Sequence, residues 1–450
     1  MPPGVASYSP RPPPPGTPRS RVQEVSPTPC SQLQQGPYRI RMPRGLGHSH
    51  HSLRLYRLLT SSGDTGCPRG ATRAWGIMGQ LAPLRIAIIG AGIIGAAIAD
   101  ALAARGASVS MFDMRRPGAG ASQASAGVLC PYTEGSPGSP LLALGVRSLA
   151  MWDGWVERLR ESVDVPFSCA RSGTLEVALS ADEVAHLQRA RAWLSAEGIT
   201  HQWMEGAQVR EFEPTVSTSA LAGLVISGHG YVQVPALVTA LMASARRRGA
   251  TCETPAEIIH VDQRRDVVYV RVGDRVDEFD HVVIAAGSWS RRVRVADVPV
   301  FPVRPIRGQL LHLKWPGAAM PQRSVWGTRC YTVPWPDGSL LVGATVEDVG
   351  FDERSTVAGV RDLLDAVGEL LPGAWQASLA EVRVGLRPAT VDHLPLLGPL
   401  ASHPRITMAT GHYRNGVLLA PYTADVVTRQ ILDNDRDPML ALTRPERVLA

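Results

Sequence analysis

The feature that most constrains the fold of this chain is the segment at residues 84–113, LRIAIIGAGIIGAAIADALAARGASVSMFD. A short apolar run, typical of a buried strand, leads directly into glycines spaced as GxGxxG. A stretch with helical periodicity then ends at Gly106, a suitable C-cap, and a second apolar run ends at Asp113. This order predicts a strand, a tight turn, a helix and a second strand of a parallel sheet.

The glycines of this motif predict a dinucleotide site. Gly90 would make the turn, Gly92 would let the backbone approach a pyrophosphate, and Gly95 would let the helix pack on the strand. Amides at the start of the helix would face the phosphates, and Asp113 would bind ribose hydroxyls. A glycine-rich contact between helix and strand is the alternative. The cofactor-binding residues predicted in this segment are Gly90, Gly92, Ile93, Ile94, Gly95, Asp113 and Met114.

The distribution of charge argues against a nucleic-acid partner. The 450 residues carry a formal net charge of +6, but residues 1–80 hold ten Arg, no Lys and only two acids. That segment is therefore +8, and the remaining residues sum to −2. Lys314 is the only lysine of the chain, which indicates a coding bias towards arginine and not a basic binding face.

Residues 1–80 also hold thirteen of the 37 prolines, and this composition predicts a disordered extension. One hypothesis is that translation starts at Met78; a transit peptide is the weaker alternative. Residues 86–104 are apolar, but three glycines and Asp100 interrupt them, so stable membrane insertion is not expected.

The six cysteines form no CxxC or CxxxxC pair, so we expect no metal site, no disulfide-reductase mechanism and a reduced, cytoplasmic setting.

Further elements follow the first unit along the chain. Helical patterns cover 182–197, 235–249, 355–371 and 416–432, while Asp337-Gly338 predicts a hairpin turn. Apolar runs at 266–272, 276–287, 308–315 and 380–386 predict strands. The expected fold is α/β, a Rossmann-type cofactor domain interleaved with an antiparallel-sheet substrate domain. The predicted cofactor domain is discontinuous, with residues 84–135, 218–292 and 385–440, and the substrate domain comprises 140–217 and 293–384.

Two small-residue segments distinguish between dinucleotides. ASQASAGVLCP (121–131) follows the second strand, and HVVIAAGSWS (281–290) is an apolar strand that runs into Ala-Gly. Here the sequence resembles the D-amino-acid oxidase family of flavoproteins. The resemblance implies FAD, bound near phosphates and flavin by Ser122, Ser125, Ala126 and Gly127, and at the cofactor edge by Ala286 and Gly287. On their own, these small residues could equally serve turns and packing.

Three polar side chains lie in segments that resemble a subgroup of that family. CYTVPWPDGSLLVGAT, GLRPAT and GHYRNGVLLAP, which contain Tyr331, Arg387 and Arg414, are similar to segments of the glycine oxidases of bacterial thiamine biosynthesis. The resemblance implies that Arg387 binds the substrate carboxylate, that Tyr331 assists, and that Arg414 lies close to flavin and substrate. Tyr413 and Ala389 depart from the family pattern, which often has Phe and Gly there.

The last segment also carries predicted cofactor contacts. Amides after Gly416 would open a helix whose positive end meets the reduced flavin. Arg414, a cation near that end, would be tolerated because substrate and cofactor bring negative charge. FAD should be non-covalent, since no cysteine follows Cys330. The cofactor-binding residues predicted here are Gly411, His412, Tyr413, Arg414, Asn415, Gly416, Val417 and Leu418.

The resemblance implies oxidative deamination of glycine and other small amino acids, including sarcosine and small D-amino acids. Hydride would pass to flavin N5 and electrons to O2, giving an imine, then a 2-oxo acid, ammonia and hydrogen peroxide, in thiazole formation for thiamine. No side-chain base is nominated. The alternatives are a D-amino-acid dehydrogenase with a quinone acceptor, a flavin module for tRNA modification and an inactive scaffold. A homo-oligomer is possible.

Overall fold

The computed structural model describes residues 82–317 and 319–449. The predicted disordered extension at residues 1–80 lies outside the described residues, and so do Cys30 and Cys67. Within the described ranges, no three His, Cys, Asp or Glu side chains are close enough together to hold a metal ion. The described cysteines, Cys130, Cys169, Cys252 and Cys330, are all free thiols.

Nine α-helices occur in the described ranges. They are α1 (Ile93–Ala104), α2 (Pro131–Glu134), α3 (Pro140–Ser162), α4 (Ala181–Ala196), α5 (Gly206–Phe212), α6 (Val234–Arg247), α7 (Val357–Leu370), α8 (Ala420–Asp433) and α9 (Leu440–Thr443). Short 3-10 helices cover Ala121–Ala124, Gly287–Arg292, Pro372–Gln376 and Pro445–Val448. None of these described helices combines the length and apolar character that crossing a bilayer requires.

Twenty-one strands occur in the same ranges. The first eleven are β1 (Arg85–Ile89), β2 (Ser108–Phe112), β3 (Val128–Leu129), β4 (Cys169–Ala170), β5 (Thr174–Ala178), β6 (His201–Glu205), β7 (Ala222–Ile226), β8 (Gly230–Val232), β9 (Thr251–Glu253), β10 (Ile258–Arg264) and β11 (Val267–Val272). The others are β12 (Arg275–Phe279), β13 (His281–Ile284), β14 (Arg294–Val295), β15 (Arg304–Lys314), β16 (Ser324–Trp326), β17 (Tyr331–Pro334), β18 (Ser339–Gly343), β19 (Ser378–Ala389), β20 (Leu396–Pro399) and β21 (Ile406–Thr410).

The predicted parallel sheet has six strands in the order β20-β21-β13-β1-β2-β9. β1 lies parallel to both β2 and β13, and only the edge strand β20 runs antiparallel. Ile86 and Ile88 of β1 are fully buried because helices cover the sheet, as in other parallel sheets. α1, α6 and α8 pack on this sheet with α3, whose Trp152 is fully buried in the same apolar core.

A second sheet of eight strands has the order β19-β15-β18-β17-β16-β5-β7-β6. Its strands pair antiparallel except β16 with β5, and the β17–β18 hairpin turns at the predicted Asp337-Gly338. The long strands β15 and β19 pair along almost their whole length, with Gly308 opposite Gly385. Two smaller sheets, β12-β11-β10-β14 and β3-β8-β4, complete the described structure. The predicted α/β fold, a Rossmann-type sheet combined with an antiparallel sheet, is confirmed, while the predicted domain boundaries remain a prediction.

Three local predictions were wrong. The run 276–287 is two strands, because the chain turns at Asp280 and passes from the β12 sheet to the parallel sheet. The last helix begins at Ala420 and not at residue 416, since residues 416–419 form a turn. The strand predicted at 380–386 does not end before Pro388 but extends from Ser378 to Ala389. Because β19 is an edge strand, a proline there removes no needed ladder hydrogen bond.

Buried histidines should make the fold sensitive to acid. Burial lowers the pKa of His229, His281 and His412 to about 3 each. The unfolded chain then binds more protons than the folded chain from about pH 6.5 down to 3, so stability falls as pH falls. Each histidine should contribute about 1.4 kcal/mol per pH unit in that window.

Denaturant unfolding at several pH values between 7.5 and 5 measures this slope. His281→Gln, which replaces a side chain that hydrogen-bonds Thr407 Oγ1 at 2.8 Å, should make the slope shallower by about a third of the histidine contribution. His186→Gln, at an exposed position on α4, is the matched control. An equal slope in His281→Gln and wild type would contradict the assignment.

Candidate active site

A cavity lies where the carboxyl ends of the parallel strands meet the eight-stranded sheet. Its wall combines the β1–α1 turn, the Ala286–Gly287 turn, the β17 strand and the end of β19. Most of the predicted site residues line it together. They are Gly90, Gly92, Ile93, Ile94, Asp113, Met114, Ser122, Ser125, Ala126, Ala286, Gly287, His412, Tyr413, Arg414, Gly416, Val417, Tyr331 and Arg387.

The other predicted residues lie behind the wall. A Cβ on Gly95 would be 1.9 Å from Gly90 O, and one on Gly127 would be 1.9 Å from Val232 O, so both glycines allow close packing. Gly411 packs on Thr390 and Leu396. Asn415 and Leu418 are buried and support the last turn with their backbone carbonyls. None of these five lines the cavity within the described residues.

The β1–α1 turn has the backbone geometry that its glycines require. Gly90 has a φ of +105°, and a Cβ there would be 2.5 Å from Ala285 O, so only glycine fits. Gly92 is the N-cap of α1 and has no side chain to accept a hydrogen bond from the first turn. Ser122 Oγ accepts from Ile93 N at 3.0 Å instead. Asp113 accepts from Ala91 N at 2.7 Å, and so ties the end of β2 to this turn.

Asp113 should therefore affect cofactor retention in two ways. Its carboxylate also accepts from Arg115 N at 2.8 Å, so replacing it loosens the turn as well as removing an acid from the cavity wall. We expect Asp113→Ala to weaken cofactor retention by about tenfold or more, because each hydrogen bond to a charged group contributes about 1.5–3 kcal/mol. Cofactor-to-protein absorbance ratios after dialysis measure this. Asp266→Ala, an exposed acid on another turn, should leave the ratio unchanged.

Side chains of α3 support the Gly411–Leu418 segment on the side away from the cavity. Ser148 Oγ and Trp152 Nε1, both on α3, donate to Leu418 O at 2.6 and 3.0 Å. The amides of Gly416, Val417 and Leu418 donate to no backbone acceptor in the described ranges, and the first two residues line the cavity. A turn, and not the first turn of a helix, thus presents free N–H groups beside an open space. His412 is occupied elsewhere, with Nε2 at 3.1 Å from Thr423 Oγ1.

Arg387 lies over a glycine of the neighbouring strand. A Cβ on Gly308 would be 2.3 Å from Arg387 Nη1, so the guanidinium occupies the place of a side chain at that position. Nη1 donates to Thr345 O at 2.9 Å and to Arg307 O at 3.4 Å. Its other two nitrogens donate to no atom of the described residues, and no carboxylate there pairs with it. Arg387 therefore presents to the cavity a guanidinium that backbone carbonyls hold in place and that no carboxylate of the described residues pairs with.

Tyr331 is positioned in the same manner. A Cβ on Gly343 would be 2.5 Å from the Tyr331 hydroxyl oxygen, and the ring stacks on Trp326 with centroids 4.6 Å apart. Burial raises the pKa of Tyr331, so the phenol stays protonated and can donate. Glycines on β15 and β18 thus make room for both side chains; the sequence analysis did not single out either glycine.

Arg414 has a partner that the sequence analysis missed. Its Nη2 donates to Glu134 Oε1 at 2.9 Å, and Glu134 also lines the cavity. Burial raises the pKa of Glu134, while Arg414 and Arg387 oppose that shift. The two residues are 280 positions apart, and α2, which holds Glu134, has no sequence signal of its own. The sequence analysis assigned the negative charge that balances Arg414 to substrate and cofactor, whereas the structure supplies a carboxylate of the chain itself.

Comparison with known proteins identifies the family of this chain. A family model described as FAD dependent oxidoreductase matches residues 85–430. The chain belongs to this family. A glycine oxidase of Geobacillus kaustophilus (strain HTA426) is 34% identical over 366 residues, which is 80% of this chain and 96% of that protein. The crystal structure of the glycine oxidase from G. kaustophilus superimposes with a TM-score of 0.77 at 31% identity, covering 82% of this chain and 100% of that one.

Two other relatives differ in what their names describe. The bifunctional protein ThiO/ThiG of Nostoc sp. is 33% identical over 361 residues, 79% of this chain, and the chain spans 54% of its length. The crystal structure of iminodiacetate oxidase from Chelativorans sp. BNC1 has a TM-score of 0.74 at 26% identity, covering 80% of this chain and 99% of that one.

The cofactor of this family is FAD, and the residues present fit it. A Cβ on Gly287 would meet no atom within 4 Å, so the space beside this turn is open where small residues face the cavity. The free amides at Gly416 and Val417 suit the negative charge of a flavin. Apolar side chains such as Ile89, Phe112 and Val293 line the remaining wall, as a ring system requires.

Proposed function

We propose that this enzyme oxidatively deaminates glycine and other small amino acids, including sarcosine and small D-amino acids, with O2 as the acceptor. The observation that carries this is Arg387, a guanidinium held over Gly308 and free of any carboxylate partner among the described residues. A planar guanidinium binds a carboxylate through two parallel hydrogen bonds. The glycine oxidases among the relatives support the choice of substrate.

Arg387 and Tyr331 orient the substrate. The guanidinium binds the carboxylate, and the Tyr331 hydroxyl, protonated because burial raises its pKa, donates a further hydrogen bond. Backbone carbonyls of Thr345 and Arg307 keep Arg387 from turning away. Bound FAD would supply the hydride acceptor for the α-carbon and pass the electrons to O2, giving imine and hydrogen peroxide. We assign no side-chain base, since a neutral amine needs none.

The residues we propose to hold FAD are those of the sequence prediction that line the cavity. Asp113 and the β1–α1 turn would bind the adenosine and pyrophosphate, and the amides of Gly416 and Val417 would face the flavin. Attachment is non-covalent. In support, no cysteine of the described ranges lines the cavity.

Parallel assays of O2 consumption, peroxide and glycine loss test the activity. We expect the holoenzyme to use one O2 and form one peroxide for each glycine lost. A quinone-dependent D-amino-acid dehydrogenase would instead reduce dyes and leave O2 unused, so dye reduction without peroxide would replace the proposal with that alternative.

We further propose that the product serves thiazole formation in thiamine biosynthesis. The support is the likeness to the ThiO/ThiG protein of Nostoc sp.. Expression of this chain should restore growth without thiamine to a bacterial strain that lacks its own glycine oxidase for this step. Failure by a holoenzyme that is active in the cell extract would contradict this role while leaving the activity in place.

A further inference from the structure

The cavity wall around the Tyr331 hydroxyl, which we name the substrate end, is formed by Tyr331, Glu134, Arg387 and Arg414. The charged groups that act on this hydroxyl are two guanidinium groups and one carboxylate. The neighbouring Cys130 adds no charge, because burial raises the pKa of its thiol to about 12. Before a substrate enters, the substrate end therefore carries a net charge of +1.

The two guanidinium groups are not equivalent. Arg414 is bound to Glu134 at 2.9 Å, and 10% of the Glu134 side chain and 39% of the Arg414 side chain are exposed, so water reaches this pair mainly from the arginine side. Arg387 donates only to backbone carbonyls. Glu347 and Asp352 are engaged elsewhere, since both pair with Arg307 on the adjacent strand β15. Arg387 is thus the uncompensated cation of the substrate end.

We propose that Glu134 makes the substrate end selective for amino acids with a single carboxylate, by offsetting the charge of Arg414. One substrate carboxylate then neutralises Arg387. A second carboxylate on the substrate would meet an arginine that is already paired and the negative charge of Glu134. This inference rests on the proposed function and deepens it by naming a specificity-determining residue.

The fold does not impose this selectivity by itself. The iminodiacetate oxidase of Chelativorans sp. has the same fold, and the amine in its name carries two carboxylates. Side chains must therefore distinguish the two classes of substrate. An ion pair in a partly buried wall can make this distinction. Water screens charges less there than at an exposed position, so a second carboxylate placed beside Glu134 is disfavoured more strongly.

Glu134→Gln tests the proposal because it removes the charge and keeps the shape. We compare kcat/KM for iminodiacetate with that for N-ethylglycine, which is similar in size and lacks the second carboxylate. In Glu134→Gln the ratio should rise at least tenfold. Glu176→Gln is the matched control, because Glu176 is a half-buried acid beside the same helix, accepts from Thr133 Oγ1 at 2.6 Å, and does not line the cavity. Its ratio should stay within threefold of wild type.

A binding measurement separates this proposal from the proposed function. Acetate and malonate, which cannot be oxidised here, are titrated against the holoenzyme and followed by the flavin absorbance. Glu134→Gln should lower the Kd ratio of malonate to acetate at least tenfold, whether or not glycine is a substrate. If glycine is not oxidised but this ratio shifts, only the substrate assignment fails.

A charge-restoring variant covers the case in which Glu134→Gln does not fold. Arg414→Gln alone should weaken acetate binding, because the substrate end loses its net positive charge. The double variant Glu134→Gln/Arg414→Gln restores a net charge of +1, and its malonate-to-acetate ratio should return to within threefold of wild type. The proposal would be overturned by an unchanged malonate-to-acetate ratio in Glu134→Gln or by an equally large shift of that ratio in Glu176→Gln. It would also be overturned if the double variant bound acetate as weakly as Arg414→Gln does.

Discussion

Arg387→Ala should raise KM for glycine by about a hundredfold or more and leave FAD bound. The guanidinium is the one cation of the substrate end without an acidic partner among the described residues, so its loss leaves a substrate carboxylate unpaired. Hydrogen bonds to charged groups contribute about 1.5–3 kcal/mol each, and two parallel bonds account for the expected size. Steady-state kinetics with glycine and the flavin-to-protein absorbance ratio provide the measurements.

Arg387→Lys is the informative control. It retains the charge but not the planar pair of donors, so it should recover only part of the lost affinity. Gly308→Ala tests the same position from the other side, because its Cβ would be 2.3 Å from Arg387 Nη1 and would displace the guanidinium. It should raise KM as well. Wild-type kinetics in Arg387→Ala would remove this residue from the site.

Gly95→Ala should have the largest effect on the cofactor. The added methyl group would lie 1.9 Å from Gly90 O, which is backbone and cannot rotate away. The start of α1 must then move from β1, and the turn that would hold the pyrophosphate moves with it. We expect the purified variant to retain less than a tenth of the wild-type FAD, and to lose stability by about 1–3 kcal/mol from overpacking.

Gly228→Ala serves as the comparison, since this exposed glycine has open space around it and no left-handed φ. It should retain wild-type FAD content and thermal midpoint. FAD content is measured by absorbance after gel filtration, and stability by the denaturation midpoint of the apoprotein. Full FAD occupancy in Gly95→Ala would show that α1 need not approach β1 so closely.

The elements that sequence reasoning found are those with local signals. The strand, turn and helix around Gly90 follow from glycine spacing and apolar periodicity within thirty residues, and the hairpin at Asp337-Gly338 follows from two adjacent residues. The errors occurred where context overrides such signals. The apolar run at 380–386 predicted a strand that ends before Pro388, but the edge position of β19 allows the strand to continue to Ala389.

The candidate site divides in the same way. Arg387, Tyr331 and Arg414 could be nominated from short segments that resemble a family, and the structure brings all three to one cavity. Their partners could not be found. Gly308 and Gly343 make room for side chains on neighbouring strands, and no pattern along the chain indicates which residue faces which.

Arg414 shows the physical reason. Spacing along the chain placed this cation beside backbone amides, but the sequence analysis assigned the compensating negative charge to substrate and cofactor. It could not identify that charge as Glu134, because the two residues meet only through the packing of α2 and the Gly411–Leu418 segment, 280 positions apart. Periodicity and turn chemistry act over a few residues, whereas the electrostatic balance of a cavity depends on distant segments brought together by the core.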